Sequence, residues 1–298
     1  MAFTPIQFSR KLPLGIRNAI DRKTLVIFIG AGVSQLMGGW SWGDLVEELV
    51  KKCRSVGCIN PRQEDHLMDK FHKEKKYVEM ITQCYDMLYE INIDHYYDVI
   101  KISCDMQKMD RKFIDIYTLF RKMSEYFITT NYDEYFDTLF SIDDVVYKFE
   151  ELKNSVDLDK NKLYHIHGSI IDFTSLVLTE YDYQERYEKL ENYKYKIFLK
   201  NIFANYNVLF LGYSFSEYVI NTILSRASYE SNEKRHYILN PYYSDRRDDL
   251  EYDEKRFGRM GVNIVPYIKD VIKYREMYEV LKSWENDLFG MQLEVENI

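Results

Sequence analysis

At 298 residues, 46% of them hydrophobic, the chain has enough apolar material to bury a core without covalent staples. A formal net charge of -8 excludes the dominant basic face that tight, direct nucleic-acid binding requires. No window approaches the roughly 18 apolar residues of a membrane span, and the N-terminal stretch lacks a leader's apolar run, so a soluble cytoplasmic protein is expected.

The first predicted strand is Thr24 to Ile29, which runs directly into Gly30-Ala31-Gly32. From Ser41 to Ser124 the spacing is helical only: Leu45, Leu49 and Cys53, then Val78, Ile81, Tyr85 and Leu88, then Phe113, Ile116, Tyr117 and Phe120. Ser41 and Asp44 fit a capping box that opens the first of these helices. This is too much helix for one crossover, so residues 41–124 are expected to form a helical insertion within a single domain spanning 1–298. Further short, continuous apolar runs follow at Tyr126 to Thr129, Asp144 to Tyr147, Leu163 to Ile166, Asn207 to Leu211, His236 to Leu239 and Val262 to Pro266, with a last helix from about Asp270 to Phe289. Continuous rather than alternating runs are those of strands buried on both faces, and the predicted class is α/β, a doubly wound, mostly parallel, Rossmann-like sheet. The 27 tyrosines and 17 phenylalanines read as core and interface filling.

Polar residues gather where these strands end, the edge at which open α/β sheets bind ligands. Glycines at 30 and 32 permit a tight turn and close approach to an anion, although a plain turn explains them equally well. Position 35, where a dehydrogenase loop needs its third glycine, holds Gln35. The second strand runs into Thr129, Thr130, Asn131, Tyr132 and Asp133, with helix capping by Asn131 or Asp133 as the alternative. His167 stands before Gly168 at another strand end, whereas His165 is expected to pack or hydrogen-bond. Gly212, Ser214 and Ser216 form a further strand-glycine-hydroxyl junction, and Asn240 is read as ending one more strand. The four cysteines, Cys53, Cys58, Cys84 and Cys104, contain no CxxC pair, so neither a zinc ribbon nor a disulfide framework is signalled, and a reducing compartment is expected.

Gly-Ala-Gly-Val-Ser, Thr-Asn-Tyr-Asp, His-Gly, Gly-Tyr-Ser and a strand asparagine, in that order from about Thr24 to Tyr267, resemble the sirtuin superfamily. The segments "WSWGDLV" and "LVLTEYDY" resemble its divergent bacterial anti-phage defence branch. The resemblance implies that Gly30, Ala31, Gly32 and Ser34 cradle the phosphates of NAD, with Thr130 and Gly168 also at the ligand and Gly212, Ser214 and Asn240 on the phosphate and adenosine half. It implies that Asn131 and Asp133 surround the nicotinamide ribose and carboxamide, and that His167 is the catalytic base. The chain departs from protein-deacylating sirtuins in lacking their zinc-ribbon cysteine pairs and the Phe-Arg after the first loop. Water is then the expected acceptor: an NAD glycohydrolase yielding nicotinamide and ADP-ribose, with some cyclic ADP-ribose as a variant outcome, acting as a toxic effector of defence. An NAD-dependent deacylase and a non-catalytic NAD or ADP-ribose sensor are the rival expectations. The resemblance further implies a homo-oligomer and a regulatory partner such as a HerA-type ATPase or a short Argonaute.

Overall fold

The computed structural model describes residues 8–152, 157–188, 193–231, 235–272 and 274–290. Its seven strands form one all-parallel sheet in the order β3-β4-β2-β1-β5-β6-β7. They are β1 (Leu25–Ile29), β2 (Tyr126–Thr129), β3 (Val145–Val146), β4 (Lys162–His165), β5 (Asn207–Leu211), β6 (His236–Tyr242) and β7 (Val262–Ile268). Alternation along β1 explains why the run had to be wholly apolar. Leu25, Ile27 and Ile29 enter the core on one face, while Val26 and Phe28 enter the core on the other. The same division separates Phe127 from Tyr126 and Ile128 in β2, and Leu209 and Leu211 from Val208 and Phe210 in β5. Each such side chain contributes about 1.5–3 kcal/mol on full burial, so a single polar replacement in β1 would damage one of two cores.

The first face is covered by α1 (Leu14–Asp21), α2 (Ala31–Leu36), α7 (Asp115–Met123) and α12 (Arg275–Phe289), through residues such as Ile16, Val33, Phe120 and Trp284. The second is covered by α8 (Glu180–Glu188), α9 (Tyr193–Asn205), α10 (Tyr218–Ser231) and α11 (Arg247–Arg259), through Tyr187, Phe198, Leu224 and Phe257 among others. Four helices, α3 (Trp42–Ser55), α4 (Pro61–Glu74), α5 (Tyr77–Tyr89) and α6 (Asp94–Ser103), build a separate apolar cluster around Leu49, Phe71, Ile81 and Ile100. Helix α7 lies within the stretch expected as an insertion, yet its buried side chains pack beneath the sheet. Ser41 and Asp44 form the expected capping box, and Asn60 with Gln63 forms a second at the start of α4.

Strands β6 and β7 continue as a pair to Tyr242 and Ile268, past the ends expected at Leu239 and Pro266. Asn240 therefore lies within a strand, opposite Pro266, instead of ending one. Proline reads as a strand breaker, but β7 is an edge strand, and β6 pairs with β5 only as far as Leu239, so neither Pro266 nor Pro241 has to donate to a neighbour on its open side. The edge strand β3 keeps only two of its four expected residues. Residue 273 of the last predicted helix lies outside the described residues, and α12 begins at Arg275. Among the described residues no helix is long and apolar enough to cross a membrane.

Candidate functional site

The central strand β1 has β2 on one side and β5 on the other, which makes the carboxyl edge above these strands the crevice where the strand order reverses. Here the loops after β1 and β5 interlock. The Gly30 amide donates to the Leu211 carbonyl and the Gly32 amide to the Gly212 carbonyl, both at 2.9 Å. A Cβ on Gly30 would stand 2.6 Å from the Gly212 oxygen, and one on Gly212 would stand 2.5 Å from the Val33 nitrogen. Gly212 also has φ +63, a left-handed conformation that glycine adopts without penalty. These glycines thus fasten two loops backbone to backbone, leaving half-buried Ala31 between them at the edge.

Buried Ser34, from α2, links the first two strand ends. Its hydroxyl donates to Asp133 Oδ2 and accepts from Asn131 Nδ2, each at 2.8 Å, while Nδ2 also donates to the Gly30 carbonyl at 3.3 Å. Because a carboxylate only accepts, the serine proton goes to Asp133 and the orientation of the Asn131 amide follows. Both of that amide's donor contacts are used, whereas its buried Oδ1 has no partner among the described residues. The Asn131 backbone is fixed from below by Thr129 Oγ1 at 3.0 Å, and the Thr130 amide donates to the Ile29 carbonyl. Burial pushes the Asp133 carboxyl up from its ordinary value, opposed by the Ser34 hydroxyl and the Tyr135 amide.

His165 also belongs to this network. Its Nδ1–H meets the Asn131 carbonyl and its Nε2 meets Asp137 Oδ1, both at 2.9 Å. Two acceptors call for two ring protons, the imidazolium form. Burial opposes that charge, but the Asp137 carboxylate and the Asn131 carbonyl outweigh it and raise the His165 pKa.

In the parallel register Thr129 pairs with His165, so Asn131 and His167 each stand two residues beyond a matched pair on adjacent strands. His167 is buried, and its Nε2 lies 2.8 Å from the Tyr187 hydroxyl and 3.1 Å from Glu217 Oε2. Tyr183 and Tyr187 stack on each other and present their rings to the imidazole. Gly168 follows with φ +82, and a Cβ there would stand 2.1 Å from the Ser175 carbonyl, so the turn tolerates only glycine. The helical module reaches this edge through Trp42, whose ring packs edge-on to Tyr132, and through the segment after Gly168, where Glu180 donates its amide to Thr82 of α5.

The β5 loop turns sharply before α10. Phe215 adopts φ +53, which costs a non-glycine residue about 1–3 kcal/mol. It is held there by the rings of Phe210, Tyr213 and Phe257 and by Asn221 Nδ2 and Arg256 Nη2, which donate to its carbonyl. Two residues later Glu217 faces His167 instead of solvent. Ser214 is exposed and bonds Ser216, while Asn240 donates to the Tyr242 hydroxyl, which donates in turn to Asp253. The structure thus joins Ser34, Asn131 and Asp133 in one hydrogen-bonded set, places His167 at the adjacent strand end, and interlocks Gly30, Gly32 and Gly212. Ser214 and Asn240 bond elsewhere, to Ser216 and Tyr242.

Sequence reasoning missed Glu217 and Tyr187; His165 hydrogen-bonds as expected, but its partner Asp137 was not foreseen. Glu217 looks like a solvated charge at a helix start, and only the turn at Phe215 reveals where it goes. Among the described residues no group of three or more metal-ligating side chains is found; Cys53 and Cys84 are buried in the helical module.

A parallel doubly wound sheet with a polar carboxyl edge is a Rossmann-like α/β fold. Residues 125–260 match the model of the SIR2-like domain, so this part of the chain is similar to sirtuins. It is 26% identical over 282 residues to the NAD(+) hydrolase ThsA of Bacillus cereus (strain MSX-D12), covering 90% of this chain and 55% of that protein. It is 26% identical over 292 residues to the NAD(+) hydrolase ThsA of Enterococcus faecium, covering 89% of this chain and 56% of that one. The chain therefore spans just over half the length of these relatives.

Proposed function

We propose that this chain hydrolyses NAD to nicotinamide and ADP-ribose at the edge formed by Asn131, Asp133 and His167. The observation that carries this is Asn131 Oδ1, a buried acceptor with no partner among the described residues, beside a strand end that supplies a histidine. The relatives' names add the substrate and the reaction. The residues present suit the ligand: an amide oxygen accepts from a ribose hydroxyl or a water, and a carboxylate favours the positive charge that develops on the ribose.

Nicotinamide bound to ribose is already cationic. Its bond to C1′ breaks with the electron pair going to the ring nitrogen, so no acid is needed, unlike ordinary glycosides, whose departing oxygen must be protonated. Asn131 orients the nucleophilic water or the ribose, and His167 takes the proton as the new C1′–O bond forms. The net change is NAD and water to nicotinamide, ADP-ribose and a proton, with no metal required.

In the same reading, NAD loss is the toxic output of bacterial anti-phage defence. Restraint comes from assembly, with the helical module and α12 as homo-oligomer contacts, or from a partner such as a HerA-type ATPase or a short Argonaute. The test is product chromatography after incubating the wild type and His167→Ala with NAD, with and without an acetyl-lysine peptide. Nicotinamide and ADP-ribose formed without peptide and lost in the variant are expected. Peptide-dependent release would replace this function with deacylation, and bound but intact NAD in every assembly state would leave only a sensor.

A further inference from the structure

We infer that Glu217, facing His167 Nε2 directly and holding the Tyr187 phenol proton, is the positioning residue that sets the tautomer of His167 and leaves Nδ1 as its proton-accepting nitrogen. The step assigned to His167 rests on the hydrolase reading above, but the tautomer itself rests on the hydrogen bonds around Tyr187.

The Tyr187 hydroxyl is shared by three neighbours: His167 Nε2 at 2.8 Å, Tyr195 Oη at 3.1 Å and Glu217 Oε2 at 3.3 Å. Burial, together with Tyr195 and Glu217, holds the Tyr187 phenol well above its ordinary pKa, so it keeps its one proton. A carboxylate can only accept, so that proton goes to Glu217. The phenol oxygen then has only lone pairs for the imidazole, and Nε2 must carry the hydrogen. Glu217 Oε2, itself 3.1 Å from Nε2, favours the same arrangement and faces the imidazolium that forms when Nδ1 takes a proton. A carboxylate that fixes a histidine's tautomer in this way acts on the rate rather than on substrate affinity. The strained turn at Phe215 is explained by the same requirement, since it delivers a residue at the start of α10 to the end of β4.

Long-range proton–nitrogen NMR on ¹⁵N-histidine-labelled protein, with the His167 signal assigned from His167→Asn, reads the tautomer without any reaction. The wild type is expected to show a pyrrole-type Nε2 and a pyridine-type Nδ1. In Glu217→Leu the phenol proton has no carboxylate to go to and turns toward Nε2, so the tautomer should reverse. In Tyr187→Phe the carboxylate still faces Nε2, so the tautomer should stay. Turnover should follow the same split, with kcat for NAD falling about a hundredfold or more in Glu217→Leu at little changed KM. A wild type with the hydrogen on Nδ1, or a Glu217→Leu protein that keeps the wild-type tautomer, would overturn the inference. Should Glu217→Leu not fold, reversal in Tyr187→Phe would overturn it equally. A wild type that holds the predicted tautomer but leaves NAD intact would instead remove the hydrolase function, and the proton transfer with it.

Discussion

Gly212→Ala tests how the loops after β1 and β5 are locked together. The added methyl meets two separate costs. A left-handed φ of +63 disfavours any L side chain by roughly 1–2 kcal/mol. The methyl would also stand 2.5 Å from the Val33 nitrogen and 2.8 Å from Gly32 Cα, and overpacking against such rigid backbone typically costs about 1–3 kcal/mol. The sum is about 2–5 kcal/mol. Gly57→Ala provides the control, since Gly57 has φ +85 but nothing within 4 Å of its added Cβ, and should lose only the conformational part. Urea unfolding midpoints, compared at equal denaturant slope, measure the two losses. Calorimetry should also show weaker NAD binding by Gly212→Ala alone, because the β1 loop must move off the β5 loop. Equal destabilisation by the two variants, with NAD affinity unchanged, would mean that the loops are not locked together as described.

Ser34→Ala removes a hydroxyl that serves both Asp133 and Asn131, leaving buried groups unpaired at a cost of about 1–3 kcal/mol. NAD cleavage should fall further than that loss of stability accounts for, and a variant with wild-type turnover would show that the Asn131 amide does not need this anchor. The His165–Asp137 pair gives a pH signature. The folded His165 pKa is raised, so its contribution to stability is complete below the unfolded value of about 6.5 and is lost as pH rises through the folded value. The unfolding midpoint of the wild type should therefore exceed that of His165→Gln most at low pH, with the gap closing as pH rises. A gap that widens with pH would contradict the assignment.

The sheet was legible because its strands are buried on two faces, which makes residues 25–29 and 208–211 apolar at every position. The placement of Asn131 and His167 at the carboxyl edge of the sheet was legible because each comes directly after such a run. The ends of β6 and β7 were not, since Pro241 and Pro266 look like breakers until neighbouring strands are known to stop short of them. Glu217, Tyr187 and the Asp137 partner of His165 escaped for a related reason. Their roles depend on which loops meet in space, and glutamate at a helix start or histidine within a strand has an ordinary local explanation. Similarity extended the reading to NAD, whereas the proton arrangement around His167 came from hydrogen-bond geometry.

The most direct measurement pairs NAD binding by calorimetry with nicotinamide release by chromatography, on the wild type and on a folded Asn131→Ala protein. The wild type should bind NAD and release nicotinamide, and Asn131→Ala should still bind while its release falls about a hundredfold or more, as expected when a group that orients the reacting atoms is removed. Release at the wild-type rate from Asn131→Ala, or NAD bound and left intact by the wild type in every assembly state, would show that this edge is not where NAD is consumed.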